Sequence, residues 1–270
     1  MKTIFFLTAF VFSYCVAAQG DLIVAPKRVV FEGNKQKETI FLINSGTDST
    51  SYSVSFVQKR MNEDGSFTPI TESIAGQEFA DPYLRLFPRR VTLAPGEGQN
   101  VVVQFRRKPE MLSGEYRSHL YFRSEQKYKA LGLEELEDNS TDLSINLTSI
   151  FGISIPIIIR TGDTKINAAL SDLKLNLEDA EPQISFTINR MGNISLYGNL
   201  TVEFIPKNAK PYTISVKNGI AVYTTTNNRN MTMQLDTSKW SPSTKGTLRV
   251  FYVKEDNQTV VYATTDLIIK

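Results

Sequence analysis

One cysteine and one histidine are all that the 270 residues contain, and the chemistry open to the chain is correspondingly narrow. The cysteine, Cys15, follows Phe12, Ser13 and Tyr14, which are not the small residues expected before a lipidated cysteine. It also falls inside a segment expected to be removed. MKTIFFLTAFVFSYCVAAQG has a lysine near its start, an apolar run from Ile4 to Val11, and the small residues Ala17 and Ala18. That is the pattern of a secretory signal peptide spanning 1–18. The expected mature chain has no thiol, which excludes disulfides, a cysteine nucleophile and a zinc-thiolate site.

The histidine, His119, stands alone in Arg-Ser-His-Leu-Tyr, where a structural role within a strand is expected. No Gly-x-Ser-x-Gly elbow, phosphate loop, paired-histidine motif or calcium loop accompanies it. An enzyme, a cofactor and a metal are therefore not expected. The acidic run Glu134, Glu135, Glu137 and Asp138 reads as solvated charge, not a cation site. Charge of one sign is missing as well: 30 Lys and Arg against 28 Asp and Glu leave a net +2, too little to draw nucleic acid or an anionic membrane surface. Nor does any later apolar stretch reach the roughly 18 residues needed to cross a bilayer. The longest, near Phe151, is interrupted by Gly152, Ser154 and Pro156.

What is present is β pattern. Short runs rich in Val, Ile, Phe, Tyr and Thr recur between Gly, Pro, Asn and Asp, and no long stretch keeps a helical period. The first half offers strands at 22–32, 37–44, 51–61, 89–95, 99–107 and 114–124, with turn signals such as Asn44-Ser-Gly and Glu63-Asp-Gly between them. After an acidic, polar excursion at 125–142, the second half offers strands at 170–178, 182–190, 198–206, 212–219, 231–236, 246–255 and 259–270. Thr161-Gly162-Asp163 reads as a short hinge. The expectation is an all-β protein of two immunoglobulin-like β-sandwich domains joined at an angle, divided at 19–161 and 162–270.

One stretch departs from ordinary sandwich design. From Leu143 to Ile159 the odd positions are Leu, Ile, Leu, Ser, Phe, Ile, Ile, Ile and Ile, while the even ones are mostly Ser, Asn, Thr, Gly and Pro. Side chains alternate faces along a strand, so one face is almost wholly apolar. At about 3.3 Å per residue the strand would exceed roughly 50 Å, more than one small sandwich can bury. Pro156 cannot donate to a ladder and points to an edge position. Two readings stand. The strand is kept open because pairing with a partner is its task, or it is an overlong core strand with only Phe151 to Ile159 in the core.

PKRVVFEGN (26–34), FPRRVTLAPGEGQNVVVQF (87–105), GEYRSHLYFR (114–123) and GISIPIIIR (152–160) together resemble the periplasmic pilus or fimbrial assembly chaperones of the chaperone-usher pathway, the PapD-like chaperones. The resemblance covers most of the first domain; the second is similar in length and β character alone. It implies a periplasmic protein that stabilises pilus or fimbrial subunits by donor-strand complementation and hands them to an outer-membrane usher. It also implies an arginine and a lysine in the interdomain cleft that hold the client's terminal carboxylate. Arg28 matches that arginine. The lysine position falls on Pro156, so Arg160 or another basic residue replaces it, or the client is anchored differently. Leu143, Ile145, Leu147 and Phe151 fall on the implied donor positions. A free edge of that kind invites self-capping as a dimer, or capping by the 125–142 loop. The competing function is a secreted immunoglobulin-like adhesin or surface-binding module that would use loops at one sandwich end.

Overall fold

The computed structural model describes residues 22–125, 150–177 and 181–270. The expected signal peptide with Cys15 lies outside them. So do the donor residues Leu143, Ile145 and Leu147, and all of the 125–142 excursion except Glu125.

In chain order the first sandwich consists of β1 (Leu22–Ala25), β2 (Val29–Phe31), β3 (Lys37–Asn44), β4 (Thr50–Met61), β5 (Phe67–Ile70), β6 (Leu84–Phe87), β7 (Arg90–Leu93), β8 (Gly98–Phe105), β9 (Gly114–Ser124) and β10 (Gly152–Thr161). One sheet runs β1-β3-β8-β6, and the other runs β2-β10-β9-β4-β5 with β7 paired to β4. The expected strand 22–32 is two strands in two sheets. Pro26 has no amide donor to continue a ladder, and the chain crosses between the sheets at 26–28. β5 and β6, four residues each, were not expected as strands.

The second sandwich follows with β11 (Ile166–Asn176), β12 (Gln183–Gly192), β13 (Leu196–Pro206), β14 (Tyr212–Val222), β15 (Asn228–Gln234), β16 (Gly246–Lys254) and β17 (Val261–Ile269). Its sheets run β11-β12-β15 and β14-β13-β16-β17.

Each sandwich closes on its own core. In the first, alternation turns Ile40 and Leu42 of β3, Val101 and Val103 of β8, and Ile155, Ile157 and Ile159 of β10 toward the opposing sheet, as the two-residue period requires. In the second, Leu200, Val202 and Phe204 of β13 sit beside Tyr252, Val250 and Leu248 of β16 in antiparallel register, and all six are fully buried. Phe204 also packs against the buried Trp240 at 6.1 Å between ring centroids. Ile157, fully buried in the first core, sets the scale of these contacts. Ile157→Ala is expected to lower the unfolding free energy by about 2–5 kcal/mol, readable in a denaturant titration of the whole chain.

Candidate functional site: the cleft and the open edge of β10

Side chains on one surface of the β2-β10-β9-β4-β5 sheet face the second sandwich. β9 shows how the sequence divides its two surfaces. Its even residues Tyr116, Leu120 and Phe122 belong to the first core, while Glu115, Arg117 and His119 point the other way and are nevertheless buried.

Glu115 is the centre of that interface. Its Oε1 accepts from Arg117 Nη2 at 2.5 Å and Nε at 3.2 Å. Its Oε2 accepts from Arg160 Nε at 3.3 Å, and from the backbone N and Oγ of Ser195 at 2.9 and 2.7 Å. Burial pushes the carboxyl pKa up, but the guanidinium groups of Arg117 and Arg160 and the Ser195 hydrogen bonds outweigh it and hold the pKa down at about 2. Arg117 stacks on the Tyr223 ring at 3.6 Å. His119 Nε2 shares a 2.9 Å hydrogen bond with the Tyr223 hydroxyl. Burial, followed by the charges of Arg117 and Lys59, pushes the His119 pKa down to about 3, so the ring is neutral near pH 7. The interface continues through Thr226 Oγ1 donating to the Met61 carbonyl and Asn230 N donating to the Glu63 carbonyl, both at 2.7 Å. The histidine expected to be structural thus lies in a buried contact between the sandwiches.

Beside this network is a cleft of about 430 Å³ whose lining mixes the cations Arg28, Arg160 and Lys254 with the acidic Glu32, Glu255 and Asp256. The structure brings the two expected anchor residues together there, in different states. Arg160 is committed: besides Glu115 it donates from Nη2 to the Ser195 carbonyl at 3.2 Å and lies 3.7 Å from Glu32. Its side chain is only 13% exposed. Arg28 is not committed. Its guanidinium lies 4.2 Å above the Tyr197 ring, and among the described residues it has no ion pair. Burial, and then repulsion from Arg117, lower its pKa to about 10, with Glu115 opposing. The group remains a cation at neutral pH, desolvated and with no ion pair among the described residues, which suits it to a planar anion.

Over half its length β10 has a partner strand on one side only among the described residues. β9 pairs with it from Gly152 to Thr161, but β2 covers only Ile157, Ile158 and Ile159 on the other side. Those three residues are interior to the sheet, which corrects the expectation that the whole strand is an edge. From Gly152 to Pro156 the side away from β9 has no partner strand among the described residues. Val29 is level with Ile157, so Arg28, one residue earlier, stands where the open segment ends. Phe151, just before β10, is 49% exposed, and Ile153 is half-buried against the first core. The segment's own side chains carry no charge: it reads Gly-Ile-Ser-Ile-Pro. The edge strand β11 of the second sandwich differs, with a register shift between Ser171 and Lys174 and Asp172 at φ 58°. Bulges and charges of that kind discourage pairing.

No family model and no curated protein matches the sequence. Among solved structures, the chain is similar to the YadV chaperone at 11% identity and a TM-score of 0.45, over 92% of this chain and 100% of that one. It is similar to the class 5 fimbriae chaperone CfaA at 13% identity and 0.44, over 92% and 99%. It is similar also to the Pseudomonas aeruginosa CupB2 chaperone at 12% identity and 0.42, over 92% and 100%.

Proposed function

We propose that this chain is a periplasmic chaperone for pilus or fimbrial subunits, which captures a client strand along the open edge of β10 and delivers the client to an outer-membrane usher. The observation that carries the reading is a juxtaposition. A strand edge of uncharged residues, with no second partner strand among the described residues, ends at Arg28, a cation with no ion pair among them. An extended segment added beside Gly152–Ile155 would occupy the row that β2 vacates, with backbone hydrogen bonds supplying affinity. If its carboxyl end lies at Arg28, it must run parallel to β10, because Arg28 stands at the carboxyl side of the open segment. The guanidinium then receives the terminal carboxylate. By sequence parity Phe151 and, before it, Leu147, Ile145 and Leu143 would fill an apolar groove in the client, each contributing roughly 1.5–3 kcal/mol if fully buried. Arg160 would support the cleft through Glu115 while Arg28 holds the anion. Export by residues 1–18 and a domain division after Thr161 belong to the same reading.

The test is photo-crosslinking in the periplasm from a benzophenone side chain placed at Phe151. The expected product joins the protein to a subunit encoded nearby, and Arg28→Ala abolishes it. An adhesin would crosslink through its sandwich-end loops and leave Phe151 unmodified.

A further inference from the structure

Across the sheet from the open edge, Lys59 of β4 extends its side chain to β10. Its Nζ donates to Ser154 Oγ at 2.6 Å and lies 6.0 Å from the centre of the Phe67 ring. Among the described residues no carboxylate pairs with this ammonium, although it is half-buried. The same surface of the sheet carries Arg117, Arg160 and Arg28. The buried carboxylate it carries among the described residues, Glu115, is saturated by Arg117, Arg160 and Ser195. Burial lowers the pKa of Lys59, as expected for a cation removed from water without a counter-charge.

Ser154 lies within the part of β10 that has no strand on the side away from β9 among the described residues. A strand added there would lie about 4.8 Å away. One of its residues would be level with Ser154, with a side chain on the same surface, within reach of Nζ. Resting on the edge-capture reading above, we propose that Lys59 is a specificity-determining residue. It selects a captured segment that carries an aspartate or glutamate close to its carboxyl end, level with Ser154, and disfavours lysine or arginine at that position. The segment would thus be read at two points, its terminal carboxylate by Arg28 and one acidic side chain by Lys59. A charge-assisted hydrogen bond in a partly desolvated site supplies the discrimination.

The probe is a synthetic peptide of alternating valine and threonine with a free carboxyl end. A series places one glutamate, or one glutamine, at each of the last positions in turn, and binding to the full chain is followed by fluorescence anisotropy. One position should show glutamate binding about tenfold more tightly than glutamine, a typical margin for a well-placed charged hydrogen bond. Lys59→Met, which keeps the aliphatic stem, should erase that margin, and Lys59→Glu should shift the preference to lysine at the same position. A flat glutamate scan on the unaltered protein would overturn the proposal without requiring any variant to fold. So would a preference that survives both substitutions. If the peptides bind Arg28→Ala as well as the unaltered protein, the edge-capture reading fails whatever the Lys59 scan shows. A series that does not bind at all counts against both.

Discussion

Arg28→Ala should leave the protein folded and remove its hold on a client's carboxyl end. In the free protein the guanidinium stacks on Tyr197 and is repelled by Arg117. The lost stacking costs about 1–2 kcal/mol for a partly desolvated pair, and relief of the desolvation and of the repulsion offsets part of it, so the unfolding midpoint should move little. Binding is different, because a carboxylate in the cleft would leave water and Arg28 is the cation beside it that has no ion pair among the described residues. Truncating one partner of a buried charged pair costs about 2–5 kcal/mol, a loss of roughly thirtyfold to several thousandfold. Arg28→Lys should recover only part of this, since an ammonium cannot form the two parallel hydrogen bonds. The check is paired: thermal unfolding of both variants, and their affinities for one peptide as free acid and as amide. The acid preference should disappear in Arg28→Ala. An unchanged acid preference in a folded variant would remove Arg28 from the site.

The largest effect on stability is expected at Glu115. Replacing it with alanine leaves Arg117 and Arg160 facing each other in a buried interface without their shared carboxylate. Breaking a buried charge network from one side costs about 3–5 kcal/mol, and the contact between the sandwiches should loosen before either core melts. The pH dependence follows from the same geometry. The folded-state pKa of Glu115 is held at about 2, below the roughly 4.3 of an unfolded glutamate. Between those values the unfolded chain binds more protons, so stability rises with pH through the window. The contribution is fully present above about pH 4.3 and is lost as pH falls through about 2. Denaturant midpoints followed down from about pH 5 should therefore fall less steeply in Glu115→Gln than in the unaltered chain. Parallel curves would show that the carboxylate is not held as described.

How much of this could be read from residues alone depends on whether the cause was local. Alternation placed β3, β4, β8, β9, β12, β13 and β16 within two residues at each end, because a half-buried strand writes its period into its own side chains, while β11, β14 and β15 were misplaced by three or four residues at one end. β6 was missed because four residues, Leu84–Phe87, are too few to show a period. The division of 22–32 into strands of two sheets was missed although Pro26 interrupts the ladder there. Pro156 lies in the segment that has no second partner strand among the described residues, but the cover over Ile157–Ile159 comes from β2, more than a hundred residues away in sequence, and no local pattern shows that pairing. The interface between the sandwiches was half visible. Glu115, Arg117 and His119 recur at every second position of a strand whose alternate positions include the apolar Tyr116, Leu120 and Phe122, which marks a polar face. That this face is buried depends on Ser195 and Tyr223 of the second sandwich, and only the fold brings them near. The commitment of Arg160 to Glu115, and of Lys59 to Ser154, are contacts between strands distant in the chain, with no signature in either segment.

Strand addition beside β10 is tested most directly by hydrogen-deuterium exchange at the amides of Gly152 to Ile155, with and without the carboxylate peptide bound. Strand addition predicts that the outward-facing amides of this segment, exposed when free, become protected in the complex, and that Arg28→Ala abolishes the protection. Exchange unchanged along Gly152–Ile155, with protection appearing only in loops at a sandwich end, would contradict it.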